Sequence, residues 1–471
     1  MTSNLNDIVN QFIDFLTEYK NVIGRQEFSD DLISYKLPAI DFRIENKLSA
    51  FIENYQRFFY FENAHENFSL TGLGTALEMS SNGLGRFSAI SKSVRELKNK
   101  VISNWSEEQN NFPLICGSMK FTAEHSEEEW EDFKDSDWFV PEFLLVKKSN
   151  SHNLFYNFVN QTSSIKKQTD IFSQRFESII NLQNKIENKA SIILTAKGLS
   201  PKDKKKWKTL VAETLDKLSD FEISKIVLSR RVDMVLSAEP SWDEIRKYFS
   251  DNYSGCSTFI YHNNNSTFFG ASPERLIKFH DKKVTIDVLA GSISRGKNSD
   301  EEKQLEREMI SSSKLNREHD LVVHQIKKAI SKYVTKIFTN KIPIKKLQNI
   351  QHLYTTLQSE LTADTSMFEI IEAIYPTGAI CGEPRDRALS LLKKNEDYKR
   401  GLYSGMIGYF NLNDEGEFVI GIRSALLHEN KLFAYAGCGI VEGSDPEKEF
   451  EETELKLKVI LSFFNEKNKS K

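Results

Sequence analysis

Between residues 402 and 437 three strand-like runs follow one another, at 402–411, 416–427 and 431–437, joined only by short polar turns such as Asn413-Asp-Glu-Gly416. Strands linked so closely pair antiparallel, because a parallel pair needs a crossover of a dozen or more residues. Phe268-Phe-Gly-Ala-Ser-Pro-Glu-Arg-Leu-Ile277 repeats the pattern as strand, Ser-Pro turn and strand. Lys283–Leu289 alternates and leads into a turn at Ala290–Gly296. With few βαβ crossovers, the expected fold class is α/β in the α+β sense, with large packed antiparallel sheets and helices on the outside.

The last of these strands enters Tyr435-Ala-Gly-Cys-Gly-Ile-Val-Glu-Gly-Ser-Asp-Pro446 and then a helix. Asp445 before Pro446 reads as an N-cap. Ser444 with Glu447 is a capping box shifted by one residue. Phe450, Leu457, Leu461 and Phe464 recur at helical spacing and should face a core. Glu449, Glu452 and Lys456 run along the edge of that face, and taken alone they are most simply a solvated charge stripe.

Upstream, the periodicity predicts helices over 4–20, 86–105, 206–219, 299–332, 366–375 and 386–394, and a polar, helical 160–200. Strands are expected within 33–61, over Phe68–Leu77, Pro113–Phe121, Trp138–Val146 and Phe221–Val232, and at Gln351–Thr355. The glycines of Phe68–Leu77 suit close backbone contact better than a phosphate loop. No fixed-period repeat is apparent. The basic run Lys202-Asp-Lys-Lys-Lys206 marks the one plausible boundary, between an N-terminal half (1–200) and a C-terminal region (205–465). No Gly/Ser- or Pro-rich linker separates them, so one integrated fold is expected.

Composition narrows the function. The 471 residues carry a formal net charge of −4, with no basic excess for nucleic acid. Cys116, Cys256, Cys381 and Cys438 have no CxxC spacing, which disfavours a zinc site or a disulfide framework. The N-terminus does not read as a signal peptide, and no apolar run approaches the ~20 residues of a membrane span. The expected location is cytoplasmic.

Several residues invite chemistry. Lys225 lies in an apolar strand; it is either an edge decoration or, desolvated in a cleft, a base. Glu274 follows the Ser-Pro turn and is a turn carboxylate or a positioned acid. Glu318, beside His319, would ordinarily be a surface carboxylate. With Glu452 from another helix it could supply the one or two carboxylates that Mg²⁺ takes. Arg423 within Phe418–Ala425 needs an anion partner. His352 and Tyr403 are core residues or pocket walls, and Gly437 and Gly439 would let backbone N–H groups approach a carboxylate.

Lys225-Ile-Val-Leu-Ser-Arg230, Phe269-Gly-Ala-Ser-Pro-Glu-Arg-Leu276, Leu289-Ala-Gly-Ser292, Lys314 to Glu318-His319, Gln351-His-Leu353, Tyr375-Pro-Thr377, Cys381-Gly-Glu-Pro-Arg-Asp386, Gly421-Ile-Arg-Ser424 and Tyr435–Val441 with Glu449 and Glu452 occur in this order. Together, over about 205–465, they resemble the chorismate-utilising enzymes. The N-terminal half, through Ser69–Gly74 and Trp138–Pro141, more loosely resembles menaquinone-pathway isochorismate synthases.

The resemblance implies the chorismate-utilising fold, chorismate as substrate and Mg²⁺ as cofactor. It implies Glu318 and Glu452 as metal ligands, with Glu449 nearby through water. Arg423, Tyr403 and the amides around Gly437 and Gly439 would hold the enolpyruvyl carboxylate, and His352, Gly291 and Ser292 would line the pocket. Lys225 would be the base that activates water towards C2, and Glu274 the acid that protonates the leaving C4 hydroxyl. Ala290 argues against the aminodeoxychorismate type, which has a lysine there, and Lys225 against the ammonia-using members. An isomerase, isochorismate synthase of a menaquinone or siderophore route, is therefore expected. Salicylate synthase is the alternative, since it adds pyruvate elimination in the same pocket. The implied partners are chorismate alone, without nucleic acid, membrane or amidotransferase subunit, in a monomer or weak homo-oligomer.

Overall fold

The computed structural model describes residues 5–23, 31–40, 42–105, 114–123, 127–159, 164–185, 194–195, 201–220, 222–348, 350–363 and 365–469. The expected strand starts at Pro113 and Phe221, and most of 186–200, lie outside them.

Two sheets, of thirteen and nine strands, carry the chain. In the larger, Ser257–Asn263 pairs with Arg57–Asn63 at the centre. Ser266–Ser272, Ser424–His428, Lys431–Ile440 and Lys225–Leu236 extend it on one side, and Phe68–Leu73, Phe143–Lys148, Ser151–Val159 and Leu32–Lys36 on the other. In the smaller, Met406–Phe410 pairs with Ile115–Met119. Beyond them lie Gly416–Ile420, Arg275–His280 and Lys283–Ser294 on one side, and Ser136–Val140 and Leu77–Ser81 on the other. Both sheets thus join strands from before and after residue 200. Among the described residues the only parallel pairing is Leu32–Lys36 with Val101–Ser103.

Strand alternation builds two cores from one run of aromatics. Phe59 and Phe61 point between the sheets, where they join Trp138, Phe139, Phe410 and Phe418. Phe58 and Tyr60 point the other way, under the helices Leu5–Ile23, Ile165–Asn184, Trp242–Asn252 and Pro446–Lys469. All four are fully buried.

Among the described residues, four short corners carry the chain directly from one sheet to the other. Two in the C-terminal half are Pro273-Glu274, after Ser266–Ser272, and Gly421-Ile-Arg423, before Ser424–His428. Two in the N-terminal half, Gly74-Thr-Ala76 and Pro141-Glu142, stand in the matching positions of the sheet order. The halves therefore repeat an architecture without repeating residues.

These corners correct three readings. The runs at 416–427, 138–146 and 68–77 are not single strands but cross from a strand of one sheet to a strand of the other. Hydrophobicity continues across the first two corners because both flanking strands are buried. At the first, a Cβ on Gly421 would sit 2.4 Å from the Leu402 carbonyl oxygen. Arg423 there adopts a left-handed φ of 53°, so it lies at a bend rather than in an apolar strand.

Two further corrections are local. The helix expected over 299–332 is two helices, Ser299–Ser311 and Ser313–Ile330, because Ser312 leaves helical geometry and its hydroxyl caps Leu315 N–H. The expected turn after Leu289 is a continuing strand with a bulge at Gly291, φ 77°. The final helix, Pro446–Lys469, is capped by Asp445, whose Oδ1 accepts from the Glu447 and Lys448 amides at 3.0 and 2.9 Å. The shifted box does not form: Ser444 instead accepts from Val441 N–H, and Glu447 pairs with Lys204 and Lys208.

Candidate active site

The two C-terminal corners open onto one cleft. Its lining includes Lys225, Glu274, Gly291, Ser292, Glu318, His352, Tyr403, Arg423, Gly437, Gly439 and Glu452. Of the residues singled out in the sequence, Glu449 alone is outside that lining.

Lys225 opens the strand Lys225–Leu236 and pairs with Glu383, while from Ile226 onward the strand also pairs with the one ending at Ile440. Its ammonium lies 2.9 Å from Glu318 Oε1, on the helix Ser313–Ile330. The side chains are only 3% and 12% exposed, so the pair is largely desolvated. Burial pushes the Glu318 carboxyl up, but the Lys225 charge and hydrogen bond outweigh it and hold it below the usual carboxylate range. Gly439 permits this approach, since a Cβ there would lie 2.8 Å from Lys225 Cε and 2.9 Å from Glu318 Oε1.

Glu274, at the Pro273-Glu274 corner, is buried. Burial pushes its carboxyl up to about 7, although Lys225, Lys345 and Lys456 pull the other way. A carboxylic acid so tuned keeps a substantial protonated fraction near neutrality and can donate its proton.

Arg423 is buried, and its guanidinium makes no hydrogen bond or ion pair among the described residues. A buried fork of N–H donors without an acceptor is a receptor for an anion such as a carboxylate. Tyr403 stands in the same wall, stacked on Tyr435 at 5.0 Å and 15°. Burial pushes its phenol up to about 12, so it remains a neutral donor.

His352 Nδ1 is 2.8 Å from Ser292 Oγ, while its Nε2 is buried without a partner. Burial, with Arg423 and two lysines nearby, holds this imidazole far below its ordinary pKa and hence neutral. The bulge at Gly291 offsets the strand register beside Ser292, which pairs with His352 across the sheet.

Lys456 is the functional residue that the sequence left as a local charge partner. It lines the cleft, donates to the Gly437 carbonyl at 2.8 Å and meets Glu452 at 2.6 Å. Its place four residues after Glu452 was the available signal. Glu449, one turn before Glu452, is buried and 3.6 Å from Lys314. Burial and the neighbouring Glu452 charge push its carboxyl up.

A family model described as chorismate binding enzyme matches residues 17–465. The chain belongs to the chorismate-binding enzyme family. Among curated relatives, isochorismate synthase MenF of Bacillus subtilis is 28% identical, with 86% of this chain and 87% of that protein covered. The salicylate biosynthesis isochorismate synthase of Pseudomonas aeruginosa is 26% identical, over 82% and 80%. The solved structure of MenF, the menaquinone-specific isochorismate synthase of Escherichia coli, shares the fold. It superposes with a TM-score of 0.75 over 96% of this chain and 100% of that one, at 21% identity.

For this member of the chorismate-binding family, the acidic edge of the cleft bears on a metal. Among the described residues no three His, Cys, Asp or Glu side chains form a ready-made cage. Glu318 and Glu452 nonetheless line one cleft, and the charge of Glu452 already disfavours ionisation of Glu449. Two carboxylates with hard oxygen donors lining one cleft fit a divalent cation that takes one or two carboxylates and completes its shell with water and substrate.

Proposed function

We propose that this enzyme is an isochorismate synthase, an isomerase that adds water to C2 of chorismate and expels the C4 hydroxyl. The observation that carries the reading is a lysine and a neutral-tending carboxylic acid in one cleft with an unpartnered guanidinium: Lys225, Glu274 and Arg423. Lys225, once it has released its own proton and stands as the neutral amine, takes a proton from the attacking water. As the C2–O bond forms, the two ring double bonds shift towards C4 and the C4–O bond breaks. Glu274 delivers its proton to the departing oxygen, so one water enters and one leaves. Arg423 and Tyr403 hold the enolpyruvyl carboxylate, and neutral His352, with Ser292 behind it, presents its free Nε2 to the ring.

Glu318 and Glu452 would hold Mg²⁺, with Glu449 supporting them. When bound, the ion would supply positive charge for the ring carboxylate and relieve Glu318 of its dependence on Lys225. Chorismate is the proposed substrate, and a monomer or weak homo-oligomer without an amidotransferase subunit is the proposed working form. The test is product separation after incubation with chorismate and Mg²⁺. Isochorismate is expected, and salicylate with pyruvate as sole products would move the assignment to a salicylate synthase.

A further inference from the structure

A buried ion pair, Arg400 with Glu396, lies outside the cleft lining but contacts residues that form it. Arg400 is 4% exposed and does not line the cleft. Its Nη1 donates to the Ile380 carbonyl at 2.9 Å and its Nη2 to the Val227 carbonyl at 2.6 Å. Val227 and Ile380 both line the cleft, from different segments. Val227 N–H still pairs with the Cys381 carbonyl at 2.8 Å, which continues the short ladder that begins at Lys225 and Glu383. Just past that bond the guanidinium spans the carbonyls of both backbones.

The pair reaches further. Glu396 accepts from Arg400 Nε at 2.8 Å and, through its other oxygen, from the Ser229 amide and hydroxyl at 2.9 and 2.7 Å. The Arg400 carbonyl accepts from Tyr403 N–H at 2.9 Å, and its guanidinium lies over the Phe121 ring at 4.6 Å. One buried arginine thereby connects the strand of Lys225, the loop at Ile380 and the turn that carries Tyr403.

We propose that the Arg400–Glu396 pair is a positioning clamp that sets the spacing between Lys225 and the opposing cleft wall. It acts through Val227 and Ile380 and makes no contact with substrate. The proposal rests on the reading of this cleft as the chorismate site. A buried guanidinium with four acceptors is geometrically demanding, and lysine cannot reproduce its planar fork. A displacement of about 1 Å at a reacting group can cost about 100-fold in rate.

The test compares Arg400→Met, Arg400→Lys and Glu396→Gln with the wild type by chorismate consumption and by amide hydrogen exchange without substrate. The methionine variant is expected to lose roughly 100-fold in kcat/KM. The lysine and glutamine variants should lose less, chiefly in kcat. Exchange should accelerate at 225–229 and 380–383 while the central strands of both sheets stay protected. Consumption within twofold of wild type in all three variants would overturn the clamp, as would acceleration spread evenly over both sheets. If the methionine variant does not fold, the lysine and glutamine variants decide on the same criteria. A product other than isochorismate from the wild type overturns the proposed reaction and leaves the clamp to be judged on consumption and exchange.

Discussion

The Lys225 ammonium sits 2.9 Å from the Glu318 carboxylate in a site where both side chains are almost wholly out of water. The proposed base and a proposed metal ligand therefore neutralise each other. Removing one partner of a buried pair strands the other, at a cost of about 3–5 kcal/mol. Lys225→Ala should lower Tm in metal-free buffer, and Mg²⁺ should restore part of that loss because an ion bound only by the folded state stabilises it. Turnover should stay abolished at any Mg²⁺ concentration. Thermal unfolding with and without Mg²⁺, beside a rate assay, checks both halves.

Glu274 should impose two pH signatures that run in the same direction. Its buried carboxyl titrates near 7, so the proton donor is present below that pH and kcat/KM should fall as pH rises through it. Stability follows the same direction. A carboxyl raised in the folded state favours folding at low pH and penalises it as pH climbs past its unfolded value to about 7. Removing the charge with Glu274→Gln should leave stability unchanged near pH 4 and raise it at pH 8, by of the order of 3 kcal/mol. The same variant should lose about 10²–10⁴ in kcat. Denaturation at the two pH values and a pH–rate profile measure these effects.

Gly439→Ala should damage activity more than stability. Its Cβ would meet the ends of two side chains, Lys225 Cε and Glu318 Oε1, which can move aside. A fold-preserving shift of the base predicts a kcat loss of about tenfold or more with only a small Tm change. Gly437→Ala differs, since its Cβ would lie 2.7 Å from the Leu228 carbonyl oxygen. That clash is with backbone and should lower Tm as well.

Arg423→Gln should raise KM for chorismate more than it lowers kcat, because the guanidinium serves ground state and transition state alike. Loss of a charge-assisted contact predicts a cost of about 1.5–3 kcal/mol in kcat/KM. Steady-state kinetics separates the two parameters.

Much of this site could be read from residues in a line. Lys225 inside an apolar strand and Glu274 behind a Ser-Pro turn each contradict their surroundings, and both line the cleft. The corners were hidden. At 416–427 and 138–146 the sequence stays apolar through the bend because strands on either side are buried in different sheets. Arg423 was consequently placed in a strand, although its φ of 53° puts it at the bend that exposes its guanidinium to the cleft. Lys456 was missed because an i,i+4 partner of Glu452 has a sufficient local explanation, whereas its bond to Gly437 comes from a strand nineteen residues away. The matching order of elements in the two halves has no sequence signal because burial, not residue identity, is what they share.

The most direct measurement is chromatographic analysis of products from chorismate, with Mg²⁺ and after its removal by a chelator. Isochorismate should form with Mg²⁺, approach a fixed ratio with chorismate and be absent from the chelated sample. Salicylate with equimolar pyruvate, or undiminished turnover without the metal, would contradict the account.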